Sequence, residues 1–77
     1  MDIWKKTYLR IDKVAKNEWI DVISVRAGFT KMGYRMVFIE TEENYIEIPD
    51  RLIDYVYYYV TSGDKIKFTD DGMIMVK

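Results

Sequence analysis

The sequence predicts an α+β domain that is mostly β, and three features carry that prediction. Short β-branched runs alternate apolar and polar residues, as in "YIEI" (45–48) and "KIKF" (65–68). One segment, 51–61, has an apolar stripe at helical spacing and helix-end residues on both sides. Asp71-Gly72 stands between two alternating runs, a strong local signal for a hairpin.

The chain of 77 residues makes one domain, 1–77, with a thin core, since a chain this short buries only about 60–65% of its unfolded surface. It has no cysteine and no histidine, so disulfides, thiolate ligands and imidazole chemistry are excluded. Hydrophobic residues make up 49% and aromatics 16% of the chain, more rings than a minimal core needs. The surplus points to a binding face or a self-association surface. No apolar run reaches the ~18 residues of a membrane span, and "MDIWKKTYLR" lacks the ~7-residue apolar core of a secretory signal, so the expected location is cytoplasmic. The net charge of −1 hides a division. Residues 1–35 hold eight bases and four acids, and residues 36–77 hold four bases and nine acids. Either a basic face results, or packing interleaves the halves and cancels the field.

Taken in order, residues 3–16 read two ways. Trp4, Tyr8, Ile11 and Ala15 recur at helical spacing after Asp2, whereas Thr7 to Val14 as a strand puts Leu9 and Ile11 on one face. Leu9 lies off the helical stripe, which favours the strand, with a turn at 15–18. "WIDVISVR" (19–26) reads as a strand, "AGFTKMG" (27–33) as a loop bracketed by glycines, and "YRMVFIET" (34–41) as a central strand. "EEN" is a turn, and "YIEIP" (45–49) is a strand that Pro49 stops. Asp50 is the expected N-cap of the helix, Asp54 lies near its positive end, and Gly63 suits its C′ position. Leu52, Val56, Tyr59 and Val60 form the expected inward stripe, with Ile53 on its border. The chain ends in a hairpin of "KIKF" and "MIMVK", with Ile66 and Phe68 inward.

Strand, strand, strand, helix, strand, strand resembles the element order of the OB-fold. The helix leading into "GDKIKF" also resembles the final part of small SH3-like barrels. The resemblance covers element order across nearly the whole chain, rests on no specific residue motif, and implies a small antiparallel barrel or sheet. It carries no functional residue over.

Acid–base catalysis would have to rest on carboxylates, Lys or Tyr, so a non-enzymatic role is expected, without catalytic residues or cofactor. Glu40, Glu42, Glu43 and Glu47 surround one hairpin tip without the spacing of a metal loop and read as solvated turn residues. Single-strand nucleic-acid binders combine cationic grooves with aromatic platforms. The rings that fit are Trp4, Tyr8, Trp19, Phe29, Tyr34 and Tyr45, beside the bases Lys5, Lys6, Arg10, Lys13, Arg26, Lys31 and Arg35. Of these, Lys5, Lys6, Arg10, Arg26, Phe29, Lys31, Tyr34 and Arg35 are the expected binding residues, with "RAGFTKMGYR" (26–35) as the richest stretch. Trp4 and Trp19 are expected in the core. The competing class is protein–protein interaction: a homodimer, or a small regulatory or inhibitor protein of phage or viral type. Its expected contact residues are Tyr55 and Tyr58, which point away from the helix stripe, and Met73 and Met75 on one face of the last strand.

Overall fold

Apolar alternation sorts the chain into two sheets that share one core with a helix. The computed structural model describes residues 6–77. The elements are β1 (Thr7–Arg10), β2 (Ile20–Asp21), β3 (Ser24–Phe29), β4 (Arg35–Glu40), β5 (Asn44–Glu47), α1 (Asp50–Tyr59), β6 (Lys65–Phe68) and β7 (Ile74–Val76). A four-stranded sheet runs β1-β5-β4-β3, and a three-stranded sheet runs β2-β6-β7. The expected α+β class with one helix is present. Among the described residues the strands stay in two separate sheets and do not close into one barrel. The pairing of β1 with β5 is parallel, the other ladders antiparallel. A long connection separates those two strands in sequence, which is what a parallel pair requires.

Period-two alternation decides what is buried. Val37 and Ile39 of β4, Ile46 of β5, Ile66 and Phe68 of β6, and Ile74 of β7 are buried, while their sequence neighbours in each strand lie on the other face, where only Glu40 is also buried. Leu52, Ile53, Val56 and Val60 complete the core from the helix side.

Several local expectations are corrected. The run 19–26 is not one strand. Val22 N–H donates to Asp64 O (2.9 Å) and Ile23 N–H to Glu40 O (2.8 Å), so the chain crosses from the small sheet to the large one there. The expected loop 27–33 is strand as far as Phe29, because β4 supplies partners for all of β3. Only Thr30–Gly33 turns, closed by Thr30 N–H to Tyr34 O (2.8 Å) and by Gly33 at φ 87°. For 6–16, the strand reading holds over β1, and a 3-10 turn follows at Ile11–Lys13.

The helix has its predicted place but not its predicted ends. Pro49 occupies the N-cap position and no side chain caps it; Asp50 is the first helical residue, where the helix dipole still favours its charge. At the other end Val60 leaves the helix in an extended conformation (φ −112°, ψ 126°). Gly63 (φ 93°) serves the turn into β6 instead, its N–H donating to Val22 O at 2.9 Å. Tyr59 is 66% exposed and not core. At 100° per residue the buried face centres between Leu52, Ile53 and Val56, so Tyr57 and Tyr59 fall on its two margins. Val60, at the end of the helix, is buried as expected.

Candidate nucleic-acid interface

Strand alternation and register place a distinct set of side chains on the outer face of the four-stranded sheet. Tyr8 of β1 is opposite Tyr45 of β5, Tyr45 is opposite Glu40 of β4, and Phe38 is opposite both Arg26 of β3 and Glu47. Three rings meet there. Tyr8 stacks on Tyr45 (centroids 5.1 Å apart, planes at 27°) and meets Phe38 edge-on at 5.4 Å. Both are preferred aromatic geometries. Tyr8 is 66% exposed, so the cluster opens to solvent on the β1 side. Lys6 Nζ and the Arg26 guanidinium sit 5.7 and 5.9 Å from the Tyr45 ring centre, within cation–π range.

Glu40 organises this face. Lys6 Nζ donates to its Oε2 at 2.5 Å, Ser24 Oγ to its Oε1 at 2.8 Å, and Arg26 Nε to the same oxygen at 3.2 Å. Lys6 also donates to Thr41 O at 2.9 Å. The bond from Lys6, then those from Ser24 and Arg26, hold the Glu40 carboxyl well below its ordinary value near 4.5, down to about 2. The expectation that Glu40 solvates a hairpin tip is therefore corrected: it is a buried anion at the end of a central strand. Glu42 and Glu43 are exposed, as expected for a turn.

The predicted binding residues divide between surfaces. Lys5 lies outside the described residues. Lys6 and Arg26 join the ring cluster, and Arg10 lies on the same face two residues beyond Tyr8, opposite Glu47. Phe29 (76% exposed), Lys31 and Tyr34 stand at the β3–β4 hairpin end, away from that cluster. Arg35 lies on the opposite face of β4 from Phe38 and pairs with Asp54 of the helix at 2.8 Å. Three of these bases are thus matched by acids from the C-terminal half: Lys6 and Arg26 by Glu40, and Arg35 by Asp54. The two halves interleave, and the N-terminal charge excess does not collect on one surface.

The predicted interface residues are also placed apart. Tyr55 packs on Tyr59 (5.1 Å), and Tyr58 meets Tyr57 edge-on (5.4 Å), all four being exposed on the helix. Met75 of β7 is half-exposed on the small sheet, and Met73, expected on the same strand, is half-exposed just before it. Trp19 is not core, contrary to expectation, but 40% exposed. Lys67 Nζ and Lys77 Nζ lie 4.8 and 5.1 Å from its ring centre. Phe38, Glu40, Lys67 and Lys77 are the participants that sequence reasoning missed. For the first two the signal was available, since Phe38 and Glu40 share the parity opposite to Val37 and Ile39 in "MVFIE".

Among the described residues no group of three or more Asp or Glu side chains comes together as a metal site. No described helix is long and apolar enough to cross a membrane. Compared with known proteins, the chain matches no family model, and no curated protein or solved structure is significantly similar to it.

Proposed function

We propose that this chain is a non-catalytic binding module that takes single-stranded nucleic acid on the outer face of its four-stranded sheet. The observation that carries the reading is the solvent-open cluster of Tyr8, Phe38 and Tyr45 with Lys6 and Arg26 beside it. Bases stack on exposed rings with a contribution of about 1–3 kcal/mol each, whatever their sequence. Phosphates then meet Arg10, the base of this face that no acid pairs among the described residues, and the residual positive charge around Lys6 and Arg26. Glu40 and Glu47 share the face, so its net charge is three bases less two acids, or +1. Stacking rather than charge therefore leads the affinity, and its salt dependence is shallow. An OB-like mode of binding is one form this reading takes, with a sheet face in place of a barrel groove.

The test is fluorescence anisotropy of labelled oligothymidine and of a matched duplex, titrated at several salt concentrations. Single strands bind in preference to duplex, and Tyr8→Ala and Tyr45→Ala each weaken binding. No binding at low salt sinks the reading.

A second reading, docking to a protein partner as a regulatory or inhibitor protein, draws on the helix. Tyr55, Tyr57, Tyr58 and Tyr59 are all exposed, and exposed aromatics in such a group mark protein contact surfaces. Met73 and Met75 would extend such contacts on the small sheet.

A further inference from the structure

β3 forms one margin of the four-stranded sheet, and no described strand pairs with its outer side. Thr30 N–H donates to Tyr34 O, and hydrogen-bonded pairs alternate along an antiparallel ladder. Ser24, Arg26 and Gly28 therefore bond to β4, while the N–H and C=O groups of Val25, Ala27 and Phe29 point away from the sheet. Natural edges are blunted by proline, bulges, charged side chains or short length. The six residues "SVRAGF" contain only one of these devices, the charge of Arg26, and its guanidinium is drawn back over the outer face of its own sheet by Glu40 at 3.2 Å. Phe29 is among the most exposed apolar side chains of the protein.

We infer that β3 pairs antiparallel with β3 of a second copy of this chain, about a two-fold axis at Ala27, joining two four-stranded sheets into one of eight strands. The choice of a second copy, and of this register, comes from the strand's self-complementarity. Centred on Ala27, the pairing sets Val25 against Phe29 of the other copy on the inner face, an aromatic and β-branched pair of the kind that stabilises sheets. On the outer face it sets Arg26 against Gly28, where nothing lies within 4 Å of an added Cβ, so the long side chain has room. Centring on Arg26 would oppose two guanidinium groups, which is destabilising. Centring on Gly28 would run the pairing into the turn at Thr30, where the backbone is no longer extended. Shifting by an odd step would put inner residues opposite outer ones. A groove lined by Ala27, Phe29, Val37 and Tyr57 opens along this same margin, and the second copy closes its open side. The inference does not rest on the nucleic-acid reading: the ring cluster stays free, and both copies present it on the same side of the joined sheet.

Single-cysteine variants of this cysteine-free chain test it. Hydrogen-bonded antiparallel partners have Cα atoms ~5.5 Å apart, within disulfide range. Ala27→Cys is expected to form a covalent dimer under mild oxidation, whereas Tyr58→Cys and Met75→Cys are not. Sedimentation equilibrium of the unmodified chain should give twice the chain mass. Ala27→Pro removes the outward N–H at an edge, where proline is tolerated, and should halve that mass with the circular dichroism unchanged. If the proline variant does not fold, the cysteine variants decide alone. A monomer at millimolar concentration overturns the inference. So does a dimer that cross-links through residue 58 or 75 and not 27, or one that survives in a folded Ala27→Pro.

Discussion

Replacing Glu40 by glutamine separates the charge of the ring face from its shape. Glu40 is the acid to which both Lys6 and Arg26 are tied, at 2.5 and 3.2 Å. Removing its charge raises the net charge of the face from +1 to +2 and frees two bases to meet phosphates. For single strands, log K falls by about 0.7 per phosphate neutralised for each unit of log salt. One net charge then gives roughly a 3-fold loss of affinity between 50 and 200 mM salt, and two give roughly a 7-fold loss. Glu40→Gln should therefore bind oligothymidine more tightly at low salt and with about twice the salt slope, by anisotropy. Its fold should be less stable at neutral pH, because Lys6 and Arg26 lose a charged acceptor. The acid limb gives a check that is independent of any ligand. The folded carboxyl titrates at about 2, below its ordinary value near 4.5. The stability it contributes is present above that ordinary value and is lost as pH falls from there through about 2. Thermal melts from pH 6 to pH 2 should show this loss in the parent chain and a smaller one in Glu40→Gln. Equal salt slopes would refute the assignment of this face to nucleic acid, and equal acid limbs would refute the ion network itself.

Three more outcomes are expected. Phe68→Ala removes the largest fully buried side chain and should cost ~3–5 kcal/mol in urea unfolding, a large part of the ~4–12 kcal/mol typical of a domain this size. Tyr8→Ala should cost about 1–3 kcal/mol of oligonucleotide binding by anisotropy, with far less effect on the melting temperature than Phe68→Ala. Gly72→Ala places a side chain at φ 81°, with its Cβ 2.7 Å from Arg51 Nη2, and should lower stability by ~1–2 kcal/mol through the backbone strain, since the Arg51 side chain can move aside.

Alternation made much of this fold legible in the chain. Ile46 and Ile48, Ile66 and Phe68, and the turn ending at Gly72 were readable from spacing and turn chemistry, because each depends on residues within one turn or one strand. The helix was legible for the same reason, despite tyrosines that favour strands. What the sequence could not settle were choices made by distant partners. The split of 19–26 follows from Val22 bonding to Asp64 and Ile23 to Glu40. The parallel place of β1 beside β5, the exposure of Trp19 and the division of the strands into two sheets depend equally on contacts remote in sequence.

The same distinction governs the candidate site. Composition already determined that the chain has rings and bases in excess of its core, and no imidazole or thiol with which to do chemistry. Tertiary structure alone decided which of them meet: Lys6 and Arg26 join Tyr8, Phe38 and Tyr45, while Arg35 is drawn to the helix by Asp54. Local spacing states which way a side chain points along its own strand. Only the pairing of strands states what it points beside, and an ion pair such as that of Lys6 with Glu40 joins residues 34 positions apart.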